Sequence, residues 1–159
     1  MRHRSILFLA VAAITSLVLA GGPPSFSFQA PSGRSGSSPS SSVLLVHAFS
    51  CHAPTDATVR ASAEGVVNGK RRTIPLEMKP TGSTGVYSLA RQWPAEGSWV
   101  LVFSIDRGGQ TTALVKLDGK GMPSFTGSGE ELAASSLRTI SGYAKERDIA
   151  SVLVAPTGG

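Results

Sequence analysis

Apolar and polar residues alternate in short stretches along the middle of the chain, with turn residues between the stretches. Residues 43–49 form a nearly continuous apolar run of strand length, which is typical of a strand buried on both faces. Residues 58–67 lead into Asn68 and Gly69, a pair that favours a type I′ turn because both central residues of that turn need positive φ. We therefore predict a β-hairpin whose return strand covers residues 72–78.

Two patterns indicate where strands lie within their sheets. Pro75 has no N–H to donate to a neighbour, so the strand at 72–78 is predicted at a sheet edge. The stretch 98–105 is apolar on both faces, which is typical of a central strand covered on two sides. Its faces are formed by Trp99, Leu101, Phe103 and Ile105 on one side and by Val100 and Val102 on the other.

Trp99 thus belongs to the core and Trp93 is expected to close one end of the domain, so the two indoles are not expected to form an aromatic platform for sugars.

Further strand signals at 85–91 and 110–117 complete a series of short strands spaced roughly ten residues apart, with turn residues between them. Such spacing favours two sheets packed face to face. The chain is therefore predicted to be mainly β, an immunoglobulin-like antiparallel β-sandwich with a C-terminal helix and a final strand.

The pattern changes near the C-terminus. Ser128 and Glu131 have the spacing of a capping box, in which each side chain accepts a backbone N–H at the start of a helix. Four apolar residues follow at helical spacing, namely Ala133, Leu137, Ile140 and Ala144. We predict a helix at about 128–147. The β-branched run at 148–155 predicts a last strand, with continuation of the helix as the alternative.

The N-terminus has the layout of a secretory signal peptide. Arg2 and Arg4 precede an apolar run at 6–20, and small residues at its end provide a cleavage point after Ala20. The run is shorter than the about 20 residues of a membrane-spanning helix, which disfavours the alternative of an uncleaved anchor. We expect residues 1–20 to be removed, and the protein to be exported to a periplasmic or extracellular location with no membrane span after cleavage.

Composition and charge indicate the organisation of the chain after the signal peptide. Residues 21–42 are rich in Gly, Pro and Ser and are predicted to be a disordered linker, whereas 43–159 have the length of one domain. The net charge of +5 falls to +3 when the two arginines of the signal peptide are removed. The basic run at 70–72 is predicted to be a solvated hairpin tip, and three charges give only weak affinity for phosphates. We expect no nucleic-acid partner.

His47, Cys51 and His52 are the candidate metal ligands, since no other histidine or cysteine follows the signal peptide. Imidazole and thiolate together suit copper or zinc. If the segment stayed extended, Cys51 and His52 would point to opposite faces, and His47 would lie about 13 Å from Cys51 at ~3.3 Å per residue. A metal site therefore requires the strand to end near Phe49 and residues 50–54 to turn back, and Met78 is a candidate for a further thioether donor. The alternative is a partly buried thiol beside ordinary polar histidines.

Cys51 is the only cysteine of the chain, so no internal disulfide can form. A catalytic thiol needs a base within hydrogen-bond reach, and His52 would lie on the opposite face of a strand. We therefore expect no thiol-dependent activity and no other enzyme activity. In an oxidising compartment an unpaired cysteine suits a disulfide with another chain, so an intermolecular disulfide through Cys51 is a further expectation.

Glycines and aromatic residues form a spaced series within residues 58–116. The series comprises Ala63, Glu64 and Gly65, then Gly85, Val86 and Tyr87, then Trp93 and Pro94, and then Gly97, Ser98, Trp99, Val100 and Leu101. In this series the chain resembles small exported immunoglobulin-like domains of bacteria, the YtkA-like and FixH-like domains. The resemblance implies a sandwich of about seven strands and, for some members, a link to copper handling or oxidase assembly. It assigns no functional residue to this chain.

Together these patterns predict an exported, non-enzymatic immunoglobulin-like binding or interaction module that holds no cofactor. Its expected partner is a protein or a cell-envelope surface. The alternative is a periplasmic protein that handles copper or another metal through His47, Cys51 and His52. That alternative needs three donor atoms within about 4 Å of one point.

Overall fold

The computed structural model describes residues 22–31, 41–50, 53–54, 57–106, 110–127 and 130–154. Within these ranges the chain forms ten β-strands and one α-helix. The strands are β1 (Ser25–Gln29), β2 (Ser42–Ser50), β3 (Ala53–Pro54), β4 (Val59–Val67), β5 (Lys70–Pro75), β6 (Met78–Pro80), β7 (Val86–Ala90), β8 (Ser98–Asp106), β9 (Gln110–Lys116) and β10 (Leu137–Ser141). The helix α1 is Glu146–Val154, and Ala134–Ser136 form a short 3-10 turn before β10.

The strands form two antiparallel sheets. The first sheet has the order β1-β2-β7-β6, and β3 pairs with the end of β2. The second sheet has the order β10-β9-β8-β4-β5. The predicted mainly β antiparallel sandwich with a C-terminal helix is therefore confirmed.

Large apolar side chains from both sheets form the core. Leu101 and Phe103 of β8 are completely buried, and the ring of Phe28 from β1 lies 5.1 Å from that of Phe103, measured between centroids. Trp99 is 2 % exposed, and its indole Nε1 donates to the Glu96 carbonyl at 2.8 Å. Burial of each such side chain contributes about 1.5–3 kcal/mol, so the core stabilises the fold without a disulfide.

Helix α1 packs on the outer face of the second sheet. Val152 of the helix joins Val100 of β8 and Leu114 of β9 in one buried cluster, with Ile149 and Leu153 of the helix against it. Because Val100 faces away from the sandwich core, β8 is covered on both sides. The prediction of a central strand with two apolar faces is confirmed.

The predicted hairpin is present between β4 and β5. Asn68 has a φ of 50° and Gly69 a φ of 74°, the two positive values that a type I′ turn requires. The return strand β5 forms the edge of the second sheet, as the missing N–H of Pro75 predicts.

The prediction of a disordered linker at 21–42 is wrong for β1. Phe26 and Phe28 alternate with serines, and the strand pairs antiparallel with β2 along its whole length. Phe28 is only 3 % exposed because it packs into the core between the sheets. Two phenylalanines thus provide enough apolar area to dock a segment whose composition is otherwise that of a linker.

The predicted order of helix and strand near the C-terminus is also wrong. Strand β10 lies inside the predicted helix at 128–147, because Leu137 and the residues after it pair with the free edge of β9. The predicted last strand at 148–155 is helical instead as far as Val154. Ile149, Val152 and Leu153 have helical spacing, which puts all three against the sheet. The proposed capping serine, Ser128, lies outside the described residues.

The predicted signal peptide at 1–20 lies outside the described residues, as does the cleavage point after Ala20. In the part of the chain that is described, no helix has the length and apolar character needed to cross a membrane.

Candidate functional site

Only one of the three predicted metal ligands falls among the described residues. His47 lies on β2, opposite Ser27 of β1 and Val86 of β7 in the two ladders. Its neighbours along the strand, Val46 and Ala48, are buried in the core, so His47 projects from the outer face of the first sheet. Cys51 and His52 lie outside the described residues.

The imidazole of His47 has an unusual environment. Its ring stacks at 6.3 Å on that of Phe49, with an angle of 11° between the planes. Its Nε2 atom is buried and has no hydrogen-bond partner among the described residues. Burial lowers the pKa of His47 and favours the neutral ring, which is the form that can ligate a metal.

The backbone next to His47 reverses direction as a metal site would require. Phe49 pairs with Pro54 and Ser50 pairs with Ala53, so β3 runs antiparallel to the end of β2. Met78, the expected thioether donor, packs instead against the core from the inner side of the first sheet. It therefore lies on the opposite face of that sheet from His47. Among the residues that the structure describes, no three His, Cys, Asp or Glu side chains are grouped to hold a metal.

Both tryptophan side chains are buried in the core. Trp93 is 3 % exposed and its Nε1 donates to the Gly121 carbonyl at 2.9 Å. Arg91 holds the same end of the sandwich closed, because its guanidinium donates to the carbonyls of Trp93 at 3.2 Å, Pro94 at 3.1 Å and Lys120 at 3.2 Å. This end of the molecule therefore offers no aromatic platform, in agreement with the sequence prediction.

The basic hairpin tip at 70–72 is exposed, as predicted. Arg71 reaches across to helix α1, where its guanidinium lies 3.3 Å from the Glu146 carboxylate. One of the three charges is therefore paired, which weakens the tip further as a phosphate-binding surface.

An apolar groove of about 410 Å³ lies where the chain crosses from the second sheet to the first. It opens where β5 has left β4 and β6 begins to pair with β7. The side chain of Leu76, only 8 % exposed, fills the crossing, and its N–H donates to the Ala61 carbonyl at 2.9 Å. The groove is thus a consequence of the change of sheet.

A polar pocket of about 240 Å³ lies on the outer face of the second sheet, beyond the part covered by α1. Strand register brings its strand residues together, since Arg60 pairs with Ser104 across β4 and β8, and Asp106 pairs with Gln110 across β8 and β9. Paired residues of antiparallel strands share a face. The complete lining is Thr58, Arg60, Ser104, Asp106, Gln110 and Tyr143.

Tyr143 stands at this polar pocket on a firmly anchored loop. The N–H of Gly142 donates to the Gln110 carbonyl at 2.7 Å, and the Thr112 hydroxyl donates to the Gly142 carbonyl at 2.6 Å. On its other side, Ala144 packs against the cluster under α1. The tyrosine side chain nevertheless remains 68 % exposed. The fold therefore fixes the backbone at Tyr143 while leaving its ring in solvent.

The charged groups of the polar pocket are not used by the fold. Within the described ranges, the side chains of Arg60, Asp106 and Tyr143 make no hydrogen bond or ion pair. One guanidinium and one carboxylate give the pocket both signs of charge and hydrogen-bond donors as well as acceptors. Such a lining suits a polar ligand with little net charge.

No motif along the sequence predicts this pocket. Arg60, Ser104 and Asp106 were recognisable only as polar positions of predicted strands. Tyr143 fell inside the predicted helix at 128–147, which gave no relation between it and these strands. The available signal was the register of β8 and β9, because the predicted short connection after Asp106 decides which polar residues of the two strands lie side by side.

Comparison of the chain with protein-family models, curated proteins and solved structures gives no match. The resemblance to YtkA-like and FixH-like domains therefore remains a prediction from the residues.

Proposed function

We propose that the protein is an exported, non-enzymatic β-sandwich binding module that attaches to the cell-envelope surface through the polar pocket. The proposal of export is supported by Arg2, Arg4 and the apolar run at 6–20. In a periplasmic or extracellular location, the accessible partners include the envelope itself.

One observation carries the proposal, namely the exposed ring of Tyr143 beside polar side chains that make no hydrogen bond or ion pair within the described residues. An exposed aromatic ring held on a fixed backbone is a common binding element, because its large area is buried at little cost in side-chain entropy. Here the ring adjoins Arg60 and Asp106, both exposed. Helix α1 covers the part of this sheet face that is formed by Val100 and Leu114, and the pocket lies on a part that α1 leaves open.

The lining favours binding over catalysis. The pocket contains one carboxylate, that of Asp106, and no histidine or cysteine. Acid–base hydrolysis of a glycosidic bond generally uses two carboxyl groups, and a serine nucleophile such as Ser104 needs an adjacent base. Neither arrangement is present among the six lining residues.

Cosedimentation tests the proposal. Protein purified after export is mixed with isolated envelope of the producing organism, and the bound fraction is measured across a concentration series. We expect saturable binding that falls at least about fivefold in the Tyr143→Ala variant, since a central aromatic contact commonly accounts for more than 1 kcal/mol of binding. The control is Arg72→Ala, which removes an exposed arginine on the hairpin away from the pocket. Equal binding of wild type and Tyr143→Ala would contradict the proposal.

Metal handling is the second candidate function, and the orphaned Nε2 atom of His47 supports it. A buried imidazole nitrogen without a partner is a costly arrangement that a ligand could relieve. Copper titration of wild type, Cys51→Ser and His47→Gln tests this candidate. We expect a weaker copper affinity in both variants if the predicted thiol and imidazole bind the ion. Unchanged affinity in Cys51→Ser would exclude a copper site centred on the thiol.

A further inference from the structure

We infer that the ligand of the polar pocket is a neutral sugar unit of an envelope polysaccharide, stacked on Tyr143 and hydrogen-bonded by Arg60, Asp106 and Gln110. This inference rests on the proposed binding function and names the chemical class of the ligand. It follows from three properties of the pocket: its charge, its exposed ring and its size.

The charge of the pocket selects against ions. Arg60 and Asp106 supply one positive and one negative group to the same lining. A phosphate would gain from the guanidinium but would be repelled by the carboxylate, and a cation would meet the opposite conflict. A neutral ligand rich in hydroxyl groups satisfies both, because each hydroxyl can donate to the carboxylate or accept from the guanidinium.

The hydrogen-bonding groups of the lining match a polyol. Arg60 donates, Asp106 accepts, and the Gln110 amide and the hydroxyls of Thr58 and Ser104 can do both. Neighbouring hydroxyls of a sugar ring present the same mixture of donors and acceptors at fixed spacing. All of these side chains except that of Thr58, which directly precedes β4, come from adjacent strands, whose ladder keeps the groups in place.

Tyr143 supplies an apolar surface at the rim of the polar lining. Tyr143 and Val154 are the large apolar residues with high exposure in the described part of the chain. A sugar ring has a face of C–H groups, which buries apolar area when it lies on an aromatic ring. A polar lining beside one exposed ring therefore complements a sugar, which is polar at its edge and apolar on its face.

The volume limits the length of ligand that is recognised. About 240 Å³ accommodates a small sugar unit but not a folded peptide or an extended strand. The pocket would thus recognise one position along a polysaccharide chain. Affinity for a short oligosaccharide is expected to be weak, and repeated units in the envelope would raise the apparent affinity through multivalency.

Isothermal titration calorimetry with three soluble trisaccharides, cellotriose, maltotriose and chitotriose, tests the inference on the protein purified after export. We expect saturable binding of at least one of them. Tyr143→Ala should lower its affinity about tenfold or more, whereas Tyr143→Phe, which keeps the ring, should retain it within about twofold. Asp106→Asn should also weaken binding, and Arg72→Ala should leave it unchanged.

Three outcomes would overturn the inference. Absence of binding by all three trisaccharides, titrated to concentrations at which weak binding is still detected, contradicts the sugar inference; if envelope binding still depends on Tyr143, the binding module itself is retained. Equal sugar affinity in wild type and Tyr143→Ala shows that the sugar binds elsewhere. Saturable binding of inorganic phosphate that Arg60→Ala abolishes, without sugar binding, identifies an anion site instead. Thermal unfolding of each variant shows that the fold is intact, which the exposure of Tyr143 leads us to expect.

Discussion

Replacement of Trp99 by alanine tests the packing between the two sheets. The indole is 2 % exposed and belongs to the main core cluster. Truncation of a buried tryptophan costs about 3–5 kcal/mol, through lost transfer free energy and the cavity left behind. The lost bond from Nε1 to the Glu96 carbonyl should add little, because Glu96 is exposed and water can replace the donor. We expect Trp99→Ala to lose a large part of the total stability, which for a domain of this kind is about 5–15 kcal/mol.

A second substitution, at Gly65, tests whether the indole ring of Trp99 lies against that glycine. A Cβ atom at Gly65 would clash with Cε3 and Cδ2 of the Trp99 ring, so Gly65→Ala alone should cost about 1–3 kcal/mol by overpacking. With Trp99 shortened to alanine, the added methyl group enters the vacated space. Part of the destabilisation by Gly65→Ala should remain in the double variant, because the Ser98 carbonyl oxygen lies 2.8 Å from that Cβ position. The two substitutions should therefore be strongly non-additive, with the double variant close to Trp99→Ala.

Urea unfolding followed by far-ultraviolet circular dichroism measures all four proteins of this double-mutant cycle without relying on tryptophan emission. The dependence of the unfolding free energy on urea concentration should be the same in all four proteins, so that differences in midpoint report differences in stability. A loss below about 1 kcal/mol in Trp99→Ala would show that Trp99 is not in the core. Simple additivity of the two changes would show that its ring does not cover Gly65.

Three further predictions concern the hairpin, the closed end and His47. Gly69→Ala should cost about 1 kcal/mol in chemical denaturation, because residue 69 has a φ of 74°; an unchanged midpoint would contradict the type I′ turn. Arg91→Met should cost about 2 kcal/mol, since it removes charged hydrogen bonds to three carbonyls, and a loss below about 0.5 kcal/mol would show that Arg91 does not hold that end. Because burial lowers the pKa of His47 below 6.5, the unfolded chain binds this proton more readily; the stability contributed by the neutral ring is therefore complete above pH 6.5 and declines as the pH falls below it. His47→Phe should reduce this loss of stability, measured by denaturation curves from about pH 7 to 5. The same pH dependence in wild type and His47→Phe would refute the prediction.

The sequence was sufficient for elements whose signals are local. The Asn68-Gly69 pair predicts a turn by its own φ requirements, and Pro75 predicts an edge by its missing N–H. The alternation around Trp99 predicts a strand because each face has a consistent chemistry. These features need no knowledge of distant residues, and the structure confirms all of them.

The errors arose where distant contacts decide the structure. Phe28 makes β1 a strand only because Phe103 and β2 receive it, and a composition rich in serine conceals that contact. Leu137 and Ile140 have spacing compatible with a helix, but the open edge of β9 offers backbone pairing to the same segment. Local propensity is a weak prior that such tertiary contacts override.

The polar pocket was hidden for the same reason. Its charged groups come from different strands, and Tyr143 reaches it only because the chain after β10 is anchored to Gln110 and Thr112. None of its residues forms a motif along the sequence. By contrast, the predicted metal site consists of residues that are close in sequence, namely His47, Cys51 and His52. Whether they can bind one ion depends on how the chain turns after β2.

Chemical-shift mapping by nuclear magnetic resonance tests the central claim, binding at the polar pocket, most directly. Soluble polysaccharide fragments released from the envelope of the producing organism are titrated into isotopically labelled protein. The largest amide shifts should cluster at Gly142, Tyr143, Gln110 and Ser104, and they should vanish in Tyr143→Ala. Shifts centred on His47 or on the apolar groove at Leu76, or no shifts at the highest fragment concentration reached, would contradict the account.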